Sequence, residues 1–155
     1  MSPSEYEILI STIAREFTNN PLDNNKWEMN FGRTNRLEGF SKYRHQIDVS
    51  LESEKDVILI ECKKWTRRIT VAEYLVLLGR VQDISKNKTT KRVRGALITT
   101  SGWQKGVVTV NSAYNDYCSL FQVNEVGEIR ERIHTVFMVG SATIRFTAQG
   151  KLTSQ

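Results

Sequence analysis

The chain has 155 residues, of which 39% are hydrophobic and 25% charged, and its formal net charge is +5. These proportions are typical of one globular domain with a sizeable core, and no apolar run has the length of a membrane span. Early acids interrupt the opening segment "MSPSEYEILISTIAREF", which is therefore not expected to be a signal peptide. Two cysteines do not make a disulfide framework, so we expect a cytoplasmic protein without membrane association.

The first predicted element is an amphipathic helix over residues 4–17. Its apolar side chains keep helical spacing and are Tyr6, Leu9, Ile10, Ile13 and Phe17. A polar segment ends this helix, residues 26–31 are expected to form a short strand, and residues 32–43 a basic loop.

A β-hairpin is predicted next, around the turn sequence "SEKD". Residues 45–51 alternate apolar and polar side chains, which is typical of a strand with one apolar face, and residues 56–63 run back antiparallel. A tight turn places Asp48 opposite Glu61, with both side chains on one face. A longer loop would shift this register.

The returning strand carries charge directly after an apolar run. Residues 57–60 are all apolar, and Glu61 and Lys63 follow without a turn, on the same strand face. Two facing carboxylates repel unless a cation compensates them. Mg²⁺ suits Asp48, Glu61 and the backbone carbonyl of Cys62, and Mn²⁺ is expected to substitute for it.

Beside such an ion, Lys63 would orient or deprotonate a water, or stabilise charge on a phosphate. The pattern therefore indicates metal-assisted hydrolysis of a phosphodiester. The alternative is a strand-end salt-bridge cluster of Asp48, Glu61 and Lys63 that binds nothing.

The remaining elements alternate helices and strands. Thr70 and Glu73 have the spacing of a capping box and start a helix that runs to about Ser85. The later predicted segments are a strand 94–101, a helix after Gly102, a strand 118–123, a helical segment 127–134 and a strand-like tail 143–148. This order predicts an α/β fold, a mixed central sheet with helices on both faces.

The sequence "RHQIDV…VILIECKKWTRRITVAEYLVLLGRVQDI…RGALITTSGW" resembles the Mrr-like branch of the PD-(D/E)xK nuclease superfamily. The resemblance covers about residues 5–115. It implies the restriction-endonuclease-like fold, with an αβββαβαβ-type core, and magnesium-dependent DNA cleavage. It also implies that Asp48 and Glu61 are metal ligands and that Lys63 is the catalytic lysine.

The family also carries a glutamate on its first helix, and Glu7 matches this position best, with Glu5 second. Gln46 is expected to share the strand face of Asp48 and to support the site. Gln82 lies on the helix that flanks the site in related nucleases and is a second supporting candidate. His45 stands where the family often has arginine, and the alternation turns it away from Asp48, so we expect it to pack or hydrogen-bond.

Basic residues flank the charged strand in two blocks, at 32–44 and 63–68, and are expected to bind DNA phosphates. They are Arg33, Arg36, Lys42, Arg44, Lys64, Arg67 and Arg68. A third block at 86–94 is equally well explained as a solvated surface.

We therefore expect a metal-dependent DNA endonuclease in one domain of residues 1–155. Its core would be about 5–123, with 124–155 a C-terminal extension that is a candidate dimer element, and a homodimer is the expected assembly. The alternatives are a structure-selective nuclease of the Holliday-junction type and a non-catalytic nucleic-acid-binding module. Sequence preference, sensitivity to base modification and the choice between DNA and RNA do not follow from the residues.

Overall fold

The computed structural model of the chain describes residues 2–18, 26–64, 66–115, 117–123, 144–146 and 152–154. The elements in chain order are α1 (Pro3–Thr18), β1 (Glu28–Phe31), β2 (Arg36–Glu38), β3 (Arg44–Gln46), β4 (Val49–Glu52), β5 (Asp56–Lys63), α2 (Val71–Asn87), β6 (Arg92–Thr99), α3 (Lys105–Tyr114), β7 (Cys118–Gln122), β8 (Ile144–Phe146) and β9 (Leu152–Ser154).

A five-stranded mixed sheet in the order β1-β4-β5-β6-β7 forms the centre of the fold. β5, β6 and β7 run parallel, while β4 and β1 are antiparallel to their neighbours. The parallel strands read as continuous apolar runs because helices cover both of their faces. α1 packs on one face through Tyr6 and Ile10, and α2 and α3 pack on the other through side chains such as Leu77 and Val107.

The predicted hairpin register is confirmed. Val49 lies opposite Ile60 in the β4–β5 pair, and the Ser53 N–H donates to the carbonyl of Asp56 at 2.8 Å, which closes a tight turn. One further step along the same register brings Asp48 level with Glu61.

The prediction of one continuous strand over 45–51 is wrong, as is the prediction of a loop over 32–43. β2 and β3 form a separate antiparallel hairpin, and a bend at Asp48 separates β3 from β4. Ile47 consequently packs in the core beneath α2, whereas Val49 packs in the core beneath α1. Apolar and polar residues alternate through the bend, but the residues before it and after it belong to strands of two different sheets.

The helix after the site begins as predicted. Thr70 is the N-cap of α2, its side chain accepts from the Glu73 N–H, and the Glu73 carboxylate accepts from the Thr70 N–H at 2.8 Å. This capping box fixes the point where the chain turns from β5 back across the sheet.

Towards the C-terminus, β8 lies within the strand-like segment predicted at 143–148 and pairs antiparallel with β9. The predicted helical segment 127–134 lies outside the described residues. The division into a core of 5–123 and an extension of 124–155 stays a prediction. Among the helices that the structure describes, none is long and apolar enough to cross a membrane.

Candidate active site

Charged side chains converge at the end of β5. The Lys63 ammonium lies 2.8 Å from Oε1 of Glu61, and the Cys62 N–H donates to Oδ2 of Asp48 at 2.8 Å. Glu61 is only 7% exposed although it carries a carboxylate. The structure thus brings together Asp48, Glu61 and Lys63.

Asp48 is held in an environment that disfavours its charge. Burial and the neighbouring negative charge of Glu61 raise its pKa from 3.8 to about 6, although the Cys62 N–H and Lys63 act in the opposite direction. A carboxylate pair of this kind repels and is stabilised by a cation placed between its members.

Cys62 presents its backbone, and not its thiol, to this edge. In a β-strand, the N–H and C=O groups of one residue point to the same side, and those of the next residue point to the opposite side. The Cys62 N–H reaches Asp48, whereas the next carbonyl, that of Lys63, accepts from the Thr100 N–H on the opposite side, at 3.3 Å. The Cys62 carbonyl therefore faces the Asp48 edge, and its side chain packs towards the core beneath α1.

These groups fit a magnesium ion. Mg²⁺ is bound in proteins by one or two carboxylates and retains several waters, and the donor set here is two carboxylates and one carbonyl, all hard oxygen ligands. Within the described residues, no three His, Cys, Asp or Glu side chains cluster as a ready cation cage. A donor set of two carboxylates and one carbonyl suits a hard, partly hydrated ion better than the thiolates and imidazoles that structural zinc sites use.

Between the two first-helix acids, the geometry favours Glu7. Glu7 is half-buried on α1, and its charge contributes to the raised pKa of both Asp48 and Cys62. Glu5 is exposed and its carboxylate accepts hydrogen bonds from Ser2, which lower its pKa.

Arg80 is a site residue that the sequence reasoning missed. Its Nη1 lies 3.1 Å from Oε2 of Glu61, so the two oxygens of Glu61 face two different cations. Arg80 stands three residues after Leu77 and four before Ile84, both buried. A cation on the buried stripe of an amphipathic helix requires a partner, and this was the signal available in the sequence.

The two glutamines proposed as supports lie elsewhere. Gln46 is exposed and pairs with Arg36 across the β2–β3 hairpin, so it does not share a strand with Asp48. Gln82 is half-buried on α2, but two residues along a helix rotate a side chain by about 200°. It therefore points to nearly the opposite side of α2 from Arg80.

His45 hydrogen-bonds, as the alternation predicted. Its Nε2 lies 2.7 Å from Oδ2 of Asp83, and its ring meets that of Tyr43 edge to face at 5.0 Å between centroids. The Asp83 carboxylate also accepts from the side chain and backbone of Ser41, and these hydrogen bonds lower its pKa to about 2. His45 thus helps to fasten the β2–β3 hairpin to α2.

Asn35 ties the segment around Asp48 to the rest of the fold. It is 7% exposed, and its amide donates to the carbonyls of Ile47 at 2.9 Å and Asn30 at 3.1 Å. Its Oδ1 accepts from the Ser50 hydroxyl at 3.1 Å. Asp48 lies between two of these anchors, so Asn35 fixes the bend that carries it.

The predicted basic residues lie on the two segments that enter and leave the site. Arg33 precedes β2, and three more of these basic residues lie on the β2–β3 hairpin, which leads into Asp48. The other three lie on the segment between β5 and α2. Six of the seven are exposed and Lys64 is half-buried. Arg67 already pairs with Glu73 at 2.6 Å, and Lys42 with Glu38 at 3.5 Å. The exposed members are Arg33, Arg36, Lys42, Arg44, Arg67 and Arg68.

No family model matches the chain, and no curated protein matches it. Solved structures do share its fold. A crystal structure of a protein of unknown function aligns with a TM-score of 0.54 and 15% identity, over 74% of this chain and 56% of its own. The crystal structure of a repair endonuclease from Pyrococcus abyssi aligns with a TM-score of 0.51 and 15% identity, over 79% of this chain and 47% of its own.

A third structure, of EndoMS in complex with dsDNA, aligns with a TM-score of 0.47 at 15% identity. The chain spans about half the length of the structures it resembles. The predicted fold is confirmed: it is α/β, with a mixed five-stranded sheet between helices, and an endonuclease shares it.

Proposed function

We propose that this protein is a metal-dependent DNA endonuclease with a PD-(D/E)xK-type site. The observation that carries the proposal is the convergence of Asp48, Glu61 and Lys63 at the end of β5, where the charge of Glu61 helps to raise the pKa of Asp48 to about 6. Perturbed carboxylates with a lysine beside them are typical of catalytic sites. The endonuclease of the same fold supports the same reaction class.

Each residue has a distinct role in this proposal. Asp48, Glu61 and the Cys62 carbonyl would hold Mg²⁺, or Mn²⁺ in its place. When bound, the ion would supply Lewis-acid polarisation of the scissile phosphate. Lys63 would orient the attacking water or offset charge on the phosphate. From the first helix, Glu7 supports the site beside Asp48.

Arg80 completes the electrostatics around Glu61. Glu61 is only 7% exposed, and a buried carboxylate requires partners that offset its desolvation. Arg80 and Lys63 both contact it. Arg80 thereby holds the Glu61 side chain in position and would remain its ion-pair partner when Lys63 exchanges this contact for one with the substrate phosphate.

DNA would be held by its phosphates. The exposed cations on the two flanking segments contact the backbone and do not read sequence. Because each phosphate contact releases condensed counterions, binding should weaken steeply with salt, with a slope of about 0.9 per contact on a double-logarithmic plot. Two active sites would cut both strands in one binding event, and we propose that a homodimer supplies them.

The test is cleavage of supercoiled plasmid, linear duplex, single strand and four-way junction with Mg²⁺ or Mn²⁺. Wild type should cut at least one DNA, and Asp48→Ala should abolish the cutting. Asp56→Asn is the matched control, because Asp56 lies at the far end of the same strand and pairs with Arg92. Cutting that survives Asp48→Ala, or no cutting of any DNA by wild type, would overturn the proposal.

A further inference from the structure

The turn of the β2–β3 hairpin exposes two aromatic rings. Phe40 and Tyr43 are each 65% exposed, and they belong to one five-residue turn, 39–43. Single exposed apolar side chains are common on protein surfaces and need no explanation. Two large rings on one short turn, each mostly exposed, form an apolar patch on the surface.

Hydrogen bonds anchor the backbone of this turn to α2, which sets where its rings project. The Phe40 N–H donates to the Asp83 carbonyl at 3.0 Å, and the Ser41 N–H donates to the Asp83 carboxylate at 2.9 Å. Gly39 permits this close approach, because a Cβ there would lie 1.9 Å from an Asp83 oxygen. Tyr43 is further braced by its edge contact with His45.

Positive charge surrounds the rings. Lys42, in the left-handed region at φ 70°, lies between Phe40 and Tyr43 in the chain, and Arg44 follows directly; both cations are exposed. Exposed aromatic rings alternating with cations are the arrangement by which proteins stack on bases while holding the adjacent phosphates. These exposed cations attract a polyanion and add nothing to contact with an uncharged apolar surface, so the charge favours a nucleic acid as the partner.

The hairpin is also tied to the candidate active site. Asp83, which anchors the turn, lies three residues after Arg80, which contacts Glu61, so about 4.5 Å of helix separates the two anchors. From Tyr43 the chain reaches Asp48 in five residues, at most about 16 Å of extended backbone. That distance corresponds to about five nucleotide steps of a DNA strand.

We propose that Phe40 and Tyr43 stack on unpaired bases of the DNA, within about five nucleotides of the scissile phosphate. Lys42 and Arg44 bind the phosphates on either side of the stacked bases. The inference rests on the proposed nuclease function and adds a preference to it: DNA with exposed bases beside the cut, such as a gap, a bulge or a junction, over continuous duplex. In paired DNA the rings have no exposed base face to contact.

The experiment compares two DNAs of one sequence, a continuous duplex and the same duplex with three unpaired nucleotides, one of them 2-aminopurine. Binding to the full chain is measured by fluorescence anisotropy, stacking by quenching of 2-aminopurine, and cleavage with Mg²⁺. The test variant is Phe40→Ala/Tyr43→Ala. Phe40→Tyr/Tyr43→Phe retains both rings, and Tyr114→Ala removes an exposed ring on α3, which is 39% exposed.

Wild type should bind the unpaired DNA about tenfold more tightly than the duplex and quench 2-aminopurine. The double alanine variant should lose both effects and bind duplex within about twofold of wild type, while the ring-retaining variant and Tyr114→Ala behave as wild type. If the double alanine variant keeps the wild-type affinity for each of the two DNAs and still quenches 2-aminopurine, the proposal is overturned. An equal loss on both DNAs, or a change in oligomeric state without any change in quenching, would also overturn it.

The cleavage measurement distinguishes a failure of the stacking inference from a failure of the proposed nuclease function. If wild type cuts neither DNA, the nuclease proposal fails, and binding and quenching still decide whether the rings stack. If wild type cuts and the double alanine variant keeps the wild-type preference, only the stacking assignment fails.

Discussion

The guanidinium of Arg80, on the buried stripe of α2, lies 3.1 Å from the carboxylate of Glu61 at the end of β5. Glu61 is 7% exposed, and its other oxygen faces Lys63 at 2.8 Å. The helix that crosses the sheet therefore contributes directly to the electrostatics of the candidate active site, and does not only cover the core.

Removal of Arg80 should cost more stability than removal of a cation from a shorter but more exposed ion pair. Arg80→Met leaves Glu61 with Lys63 but less fully compensated, and we expect a loss of about 1–3 kcal/mol in the free energy of unfolding. The control is Arg92→Met, because Arg92 pairs with Asp56 at 2.7 Å but is 48% exposed; its loss should be below about 1 kcal/mol. Urea denaturation measures both. Equal losses would show that Glu61 does not depend on Arg80.

Asp48 should make the metal-free protein less stable as pH rises. The folded-state pKa is raised from 3.8 to about 6, so the contribution of Asp48 to stability is fully present below pH 3.8 and is lost as pH rises through about 6. Asp48→Asn cannot ionise. In EDTA its melting temperature should exceed that of wild type above the folded-state pKa, with the difference shrinking as pH falls towards 4. A difference that is constant across this range would contradict the account.

Loss of the Asn35 amide should disturb the bend that carries Asp48. Asn35→Ala leaves the Ile47 carbonyl without its 2.9 Å donor, at a cost of about 1–3 kcal/mol for a buried group left unsatisfied. Asn30→Ala is the control, because the Asn30 side chain is exposed, and it should change stability by less than about 0.5 kcal/mol. Chemical denaturation compares them. Indistinguishable stabilities would mean that the network does not hold the bend.

Asp83 should fasten the hairpin to α2 in a pH-dependent way. Hydrogen bonds from Ser41 and His45 lower its pKa from 3.8 to about 2, so its contribution to stability is present above pH 3.8 and is lost as pH falls through about 2. Asp83→Ala should lower the melting temperature most near neutral pH and progressively less in acid. It should also speed hydrogen exchange of the Ser41 amide. Unchanged exchange in the variant would contradict the docking role.

The fold followed from the sequence wherever local signals and burial agreed. The capping residues Thr70 and Glu73 marked the start of α2, and the tight turn before Asp56 fixed a register that the structure confirms. The apolar run before Glu61 was predicted to be part of the returning strand, and these residues are buried in β5. Each of these features is decided by neighbours a few residues apart, which a single sequence reveals.

The parts that were missed depend on contacts distant in sequence. The alternation of 45–51 hid the bend at Asp48, because Asn35 stabilises that bend from another segment. For the same reason Gln46 was assigned to the wrong strand. Arg80 contacts Glu61, which is 19 residues away in the sequence. Its position on a buried stripe of α2 indicated that it has a partner, but not which residue that partner is.

The most direct test of the central claim is single-turnover cleavage by Lys63→Met, with DNA bound first and Mg²⁺ added afterwards. The account predicts that wild type cuts the bound DNA, and that Lys63→Met binds it within about threefold of wild type but cuts it at least about 100-fold more slowly, as expected when a group that acts in the transition state is removed. Cutting by Lys63→Met at the wild-type rate would remove Lys63 from the chemistry. Wild-type protein that holds DNA and leaves it intact with both Mg²⁺ and Mn²⁺ would contradict the claim that this site hydrolyses phosphodiesters.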